Sequence, residues 1–402
     1  MSTGQSRLVF VNRVYWPDEQ ATAQLLTDLA EGLAARGWPV TVITGGGGKP
    51  PMREQRNGVE VLRVGARQGR HRHLAGKAID YVRFSLALRR GLADELRPGD
   101  ILVALTDPPF LAPIAAAAAR RAGARLVHWL QDVHPEIGLA LRPNRLLAAV
   151  SAPWMRWRDA AWRTAATCVA LGDDMARYVA SRQLEARNVR VIPNWAPGGD
   201  RLAPVSPAES SLRCAWGLEN RFVVAYSGNL GRVHALEPLA PAAALLADLP
   251  ALVFVFVGSG PRRPVLEQAV RGLGLTNVRF LPPQPREHLA ESLSVGDVHL
   301  VTLRSGCERH VYPSKLYGIL AVGRPILFVG PPDSGLAREV REHGAGLVAP
   351  DSDPAAIAAA IRTLHADPVL RESMGQQAAK WYRATGGLPA AIDAWDKLLH
   401  EL

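Results

Sequence analysis

Two rhythms of apolar and polar positions alternate along nearly the whole chain. Short continuous apolar runs stand between longer segments whose apolar residues recur every three or four positions. The short runs suit strands buried on both faces, and the longer segments suit helices with one packed side. In the first half, strands are predicted at Leu8–Asn12, Val40–Thr44, Val59–Val64, Ile101–Leu105, Arg125–Leu130, Cys168–Leu171 and Val189–Pro193. Helices are predicted over Ala21–Arg36, Ile79–Leu96, an alanine-rich segment before Arg125, and Asp174–Arg182. The second half repeats the alternation, with strands at Phe222–Gly228, Leu252–Val257, Val278–Leu281, Val298–Leu303, Pro325–Val329 and Gly346–Val348. Helices over Ala355–Leu364, Glu372–Tyr382 and Ala390–Leu402 close it. Between the halves, the segments Pro193–Gly199 and Ala203–Pro207 combine turn formers with little periodicity and read as a linker. The pattern predicts an α/β protein with two Rossmann-like, doubly wound parallel-sheet domains in tandem. Their bounds are 1–200 and 201–385, and a terminal helix over 386–402 is free to cross back to the first.

Composition narrows the class. Of 402 residues, 48% are apolar and 21% charged, as in soluble globular proteins. No run of apolar residues is long enough to span a bilayer, and Met1–Arg7 lacks the apolar core of a signal peptide. A cytoplasmic protein is expected. Three cysteines, Cys168, Cys214 and Cys307, stand far apart, so neither a disulfide framework nor a zinc site is indicated. The net charge of +10 suits nucleic acid, an anionic membrane or phosphorylated substrates. No nucleic-acid reading module accompanies it, which disfavours the first.

The strongest chemical signal is Tyr312-Pro-Ser-Lys-Leu-Tyr-Gly-Ile-Leu-Ala-Val-Gly-Arg-Pro325. Pro313 suits a first helical turn, Ser314 and Lys315 follow among its free N–H groups, and Gly323 ends the helix. Free N–H groups beside a lysine make an anion site. Upstream, Tyr226-Ser-Gly-Asn-Leu-Gly-Arg232 follows an apolar strand. Gly228 and Gly231 let backbone approach a ligand, and Arg232 suits a diphosphate. Phe256-Val-Gly-Ser-Gly260 adds more open backbone at another strand end. Ligands in such sheets bind beyond the carboxyl ends of the strands, so these pieces converge on a nucleoside-diphosphate site. A dinucleotide fingerprint is missing: the first strand runs into Asn12-Arg-Val-Tyr-Trp-Pro-Asp-Glu19, without glycine, and Gly45–Gly48 lacks the pattern. A Walker A sequence is missing as well.

Taken in order, the Tyr15-Trp-Pro-Asp-Glu loop, Gln131-Asp-Val-His-Pro-Glu136, Ile192-Pro-Asn-Trp195, the Gly228–Arg232 loop and the Pro313–Pro325 stretch resemble the family 4 retaining glycosyltransferases. The similarity covers nearly the whole chain and is greatest to bacterial enzymes of capsule, exopolysaccharide and O-antigen synthesis, including fucosamine transferases. It implies the GT-B architecture, with two domains facing across a cleft. A UDP- or GDP-linked sugar would sit on the second domain and an acceptor on the first. The implied donor residues are Gly228, Asn229, Gly231, Arg232, Gly258, Pro282, Pro313, Ser314, Lys315 and Leu316. Arg232 and Lys315 would hold the diphosphate, Leu316 would lie near the ribose, and Leu281-Pro-Pro283 would line the base. One departure stands out. Many relatives carry glutamates where this chain has His310 and Gly318, and Glu308 is the candidate replacement.

In the first half, Asp132, His134 and Glu136 are the candidate catalytic residues, placed after a strand where an acceptor hydroxyl would meet the donor. Asp18 and Glu19 are candidate acceptor contacts. His128 reads as a packed strand residue, and His71 and His73 as solvated. Retaining transfer without a carboxylate nucleophile suggests a same-face displacement, in which the departing phosphate takes the acceptor proton. No metal and no cofactor beyond the nucleotide sugar are expected. Arg67–Lys77 carries four cations and no acid, and Leu146–Thr164 sets Trp154, Trp157 and Trp162 beside Arg156, Arg158 and Arg163. Both features suit an anionic membrane surface and a lipid-linked glycan acceptor on the inner face of the cell membrane. Two alternatives remain open: a non-catalytic nucleotide-sugar binder, and a nucleotide-sugar epimerase on the same fold. The oligomeric state is not legible.

Overall fold

The structure, a computed structural model, describes residues 6–46, 52–65, 74–185, 188–196 and 202–402. The chain divides into two compact units, neither of them continuous in sequence. One comprises Met1–Pro193, Arg309–Tyr312 and Leu388–Leu402; the other comprises Asn194–Glu308 and Pro313–Gly387. The sequence pattern gives no hint that Arg309–Tyr312 belongs with the first.

Eight strands build the first unit's sheet: β1 (Leu8–Val11), β2 (Val40–Thr44), β3 (Met52–Arg56), β4 (Val59–Arg63), β5 (Ile101–Ala104), β6 (Arg125–Trp129), β7 (Thr167–Ala170) and β8 (Val189–Val191). Their order is β3-β4-β2-β1-β5-β6-β7-β8. β1 pairs in parallel with both neighbours, Leu8 lying opposite Val40 and Ile101. All four β1 residues are fully buried, which is why the strand reads as an unbroken apolar run. Setting β3 aside, the winding direction reverses between β1 and β5, the switch point where ligands of such sheets bind. β3 is antiparallel to β4 and alternates between half-buried and exposed residues at the sheet edge. The two are joined by Asn57 (φ 45°) and Gly58 (φ 80°), a pair that accepts the left-handed backbone a tight hairpin needs.

The terminal helix Gly387–His400 docks on this unit. Trp395, fully buried, meets Trp129 edge-to-face with ring centroids 5.2 Å apart. Trp38 Nε1 donates to Asp396 at 2.6 Å. Gly32 leaves room for Ile392, since a Cβ there would fall 2.3 Å from the isoleucine's Cδ1.

Six parallel strands build the second unit's sheet: β9 (Phe222–Ser227), β10 (Leu252–Val257), β11 (Val278–Leu281), β12 (Val298–Thr302), β13 (Ile326–Val329) and β14 (Gly346–Ala349). Their order is β11-β10-β9-β12-β13-β14, so the switch point lies between β9 and β12. Successive residues serve opposite faces. Val224, Tyr226, Phe254 and Phe256 join one core with Leu300, Ile357 and Ile361, while Val223, Ala225, Val253 and Val255 join the other.

Candidate active site

In the second unit, the carboxyl ends of the strands on both sides of the switch point carry the predicted donor residues. Gly228 follows β9 at φ 126° and Gly258 follows β10 at φ 143°, both in the region that favours glycine. The two backbones touch: a Cβ on Gly258 would lie 2.1 Å from Gly228 O. Gly228 N donates to Val257 O at 2.9 Å and Leu230 N to Ser259 O at 2.8 Å, so the loops are zipped together. Arg263 clips the next strand end, donating to Gly258 O at 2.8 Å and Leu281 O at 3.1 Å. Pro282 and Asn229 are exposed beside these contacts, as is Arg232, which makes no ion pair with any described residue.

Lys315 begins the helix Lys315–Ala321, reached by the chain after β12. Leu316 N donates to Pro313 O at 3.1 Å, which turns the chain through the half-buried Ser314. The lysine Nζ is buried and has no hydrogen-bond partner among the described residues. It sits 3.3 Å from the centroid of the Tyr226 ring and 3.9 Å from where a Gly228 Cβ would be. Burial pushes its pKa well down. His234, which donates from Nδ1 to Thr302 O at 2.8 Å, is driven to about 3 by burial and then by the lysine charge. The amine is therefore held against an aromatic face in a setting that disfavours its charge.

Four further residues are placed by packing and local turns. Leu316 is completely buried, so only its backbone could face a ligand. Glu308 accepts from Gly306 N at 2.7 Å and closes its own turn. Gly318 has a packing reason: a Cβ there would lie 2.9 Å from Leu293 Cδ1, on the neighbouring helix Leu289–Ser294. His310 belongs to the first unit, where its ring packs against Tyr178 with centroids 4.7 Å apart.

At the first unit's switch point the loops after β1 and β5 are tied by ions. Arg13 Nε lies 2.9 Å from both oxygens of Asp107, and its NH2 lies 2.7 Å from Oδ2. Asp132 and His134 follow β6, and neither side chain is drawn into an ion pair among the described residues. Asp132 N donates to Thr106 Oγ1 at 3.2 Å, and Val133 N donates to His310 O at 2.9 Å. Asp132 keeps an exposed edge, yet the surrounding protein disfavours its charge and raises its pKa; His134 opposes the rise and Asp107 adds to it. A cavity of about 20 Å³, room for one water, is lined by Thr106, His128, Asp132, His134, Arg158 and Trp162 among others. His128 is buried, as its strand position predicts, and burial lowers its pKa to about 4.

Glu136 is placed differently from its two companions. It is buried and accepts from Arg158 NH1 at 2.5 Å, from Arg158 NH2 at 2.7 Å, and from the Tyr178 hydroxyl. Burial alone would raise its pKa, but Arg158 and Tyr178 outweigh that and hold it low. Arg158 also pairs with Asp159 at 2.6 Å and donates to His134 O at 2.7 Å. The glutamate thus anchors the loop that carries His134. Asp18 and Glu19 are both exposed in the loop after β1.

The tryptophan-arginine segment forms the helix Arg145–Thr164 and splits into two parts. Trp162 and Arg158 are buried, with the guanidinium 4.0 Å from the indole centroid, and they drop out of any lipid-facing surface. Leu146, Leu147, Val150 and Trp157 are exposed, and Trp154 stacks edge-on against Phe110 and Trp157. Arg156 and Arg163 are exposed beside them. Of the basic stretch Arg67–Lys77, residues 67–73 and the Lys77 side chain lie outside the described residues, His71 and His73 included. No described helix is long and apolar enough to cross a membrane. No cluster of three or more described His, Cys, Asp or Glu residues could hold a metal ion.

Residues 21–195 match the family described as glycosyl transferase 4-like domain, and residues 212–381 match glycosyl transferases group 1. WcaI of Escherichia coli K12, named for colanic acid biosynthesis glycosyl transfer, is 32% identical over 56% of this chain. That match covers 56% of WcaI, so the chain spans little more than half of that relative's length. Sucrose-phosphate synthase from Thermosynechococcus elongatus superposes with a TM-score of 0.77 at 18% identity, over 99% of each chain. HepE from Anabaena, solved in complex with UDP-glucose, gives 0.73 at 17% identity, over 99% of this chain and 100% of that one. Both structures share the fold: two parallel-sheet α/β units of the GT-B class.

Proposed function

This chain belongs to the group 1 glycosyltransferases, and on that premise we propose that it moves a sugar, with retention, from a nucleoside-diphosphate sugar to a lipid-linked glycan in cell-surface polysaccharide synthesis. The observation that carries the reading is Lys315: a buried amine without a hydrogen-bond partner among the described residues, against the open backbone of Gly228 at the second unit's switch point. Burying an amine without a partner is costly unless a ligand completes the site. A diphosphate would do so, with exposed Arg232 as the second cation and the N–H groups around Ser314 as neutral donors. HepE's complex with UDP-glucose supports a nucleotide-sugar donor, and WcaI supports a polysaccharide product.

The chemistry follows from charge. As the bond from sugar to diphosphate breaks, negative charge grows on the leaving oxygen, and Lys315 with Arg232 stabilises it there. The acceptor hydroxyl attacks from the same face and its proton passes to the departing phosphate. Asp132 and His134 orient that hydroxyl, and Glu136 holds the His134 backbone through Arg158. The exposed apolar residues of Arg145–Thr164, flanked by Arg156 and Arg163, suit a headgroup region, which would bring the enzyme to a lipid-linked acceptor. Failure to co-sediment with anionic liposomes at low salt would remove that last element.

The experiment is calorimetry of the full chain against UDP- and GDP-linked hexoses and N-acetylhexosamines, followed by NMR of the anomeric proton in the product. One donor class should bind at micromolar concentration and give a product of unchanged anomeric configuration. Inversion would reject the mechanism, and no binding by any nucleotide sugar would reject the reading.

A further inference from the structure

Trp16 stands in the loop after β1, at the first unit's switch point, with 38% of its surface exposed, while its neighbour Tyr15 is fully buried. The loop is held by groups from the β3–β4 hairpin. Arg63 of β4, itself buried and paired with Glu54, donates from NH2 to Trp16 O at 2.7 Å. Arg56 of β3 lays its guanidinium carbon 4.0 Å from the indole centroid, and Glu31 holds that arginine through Nε at 2.8 Å. Further along, Asp18 N donates to Tyr15 O at 3.0 Å and Gln24 Nε2 to Glu19 O at 2.8 Å. The ring is thus fixed before any ligand arrives, which lowers the entropy cost of binding to it.

An indole covered by Arg56 on one side and partly open to solvent elsewhere is an amphipathic contact surface. It is followed by three exposed polar side chains, Asp18, Glu19 and Gln20, which together can accept and donate hydrogen bonds. The C–H face of a pyranose is flat and apolar, and its hydroxyls point outward around the rim. A fixed aromatic ring bordered by planar polar groups complements both. We propose that Trp16 is the stacking platform of a sugar subsite, with Asp18, Glu19 and Gln20 meeting the hydroxyls of the same ring. This rests on the reading that the first unit holds a glycan acceptor. It gives the edge hairpin a task as well: both arginines that fix the indole come from it.

The test uses the full chain and a panel of methyl α- and β-glycosides of glucose, galactose, mannose and N-acetylglucosamine, observed by saturation-transfer NMR. At least one glycoside should receive saturation most strongly at its ring C–H protons and bind in the millimolar range. Trp16→Ala should weaken it tenfold or more, Trp16→Phe by less, and Arg56→Ala by an intermediate factor through a loosened ring. Circular dichroism of each variant checks the fold, and UDP calorimetry on the same samples reports on the second unit separately. If Trp16→Ala binds the glycosides as well as the parent, or the parent binds none of them, the subsite does not exist. Unchanged glycoside binding together with weaker sedimentation on anionic liposomes would make Trp16 a lipid contact and overturn the proposal. Absence of UDP binding with an intact glycoside effect would instead defeat the donor reading alone.

Discussion

At the second unit's switch point the backbone lies open: Gly228 and Gly258 touch through main-chain atoms, beside a lysine amine with no hydrogen-bond partner among the described residues. At the first unit's switch point side chains fill the space, with Arg13 locked to Asp107 and Trp16 clamped by Arg56. The strand order is the same in both once the two edge strands of the first sheet, β3 and β8, are left out. Topology therefore chooses where each crevice forms, and side chains choose what it accepts. Bare backbone and an unsatisfied cation suit an anion, whose charge repays desolvation. An aromatic ring beside exposed carboxylates such as Asp18 and Glu19, with Arg13 already paired to Asp107, suits a neutral, hydroxyl-rich partner.

Three measurements can break or sharpen this contrast. The largest effect should come from Arg158→Met, which takes the guanidinium from buried Glu136 and leaves it the Tyr178 hydroxyl, while Asp159 keeps Arg182. Breaking such a network costs about 3–5 kcal/mol, read as a lower unfolding midpoint with UDP affinity per folded molecule unchanged. A small loss would mean the carboxylate finds water. Next comes Lys315→Met, which should weaken UDP binding by about 1.5–3 kcal/mol in calorimetry while stability is kept or raised. Unchanged affinity would place the diphosphate elsewhere. The smallest effect is a fraction of a proton. Burial depresses the free lysine's pKa and a bound diphosphate raises it again, so binding takes up protons and donor affinity falls as pH rises between those two values. Heats of UDP binding in phosphate and Tris buffers should then differ; equal heats would show that the amine is charged throughout.

Much of this was legible because buried parallel strands leave continuous apolar runs. Val40–Thr44 and Leu252–Val257, buried throughout, agree with the pattern at both ends. β3 escaped because Met-Arg-Glu-Gln-Arg carries no apolar alternation, although the Asn57-Gly58 pair that follows is a hairpin signal. The lysine and its glycines could be grouped from spacing. What could not be seen was which charges cancel. Glu136 and Arg158 stand far apart in sequence and meet only in the fold, so the glutamate looked as free as Asp132. Trp162 shares a helix with the exposed Trp157 and differs from it only by the face it turns inward.

The discontinuity of the first unit bears on how the molecule is made. Trp395 completes the packing around Trp129, yet a ribosome reaches it only after every residue of the second unit has been added. A nascent chain stopped at Gly387 would hold all of the second unit and only part of the first. During synthesis the second unit can reach its native state while the first still exposes the indole-lined seat that residues 388–402 will fill. Chaperone dependence, and damage from truncation or tagging near His400, should therefore fall on the amino-terminal residues, far away in sequence from the cut.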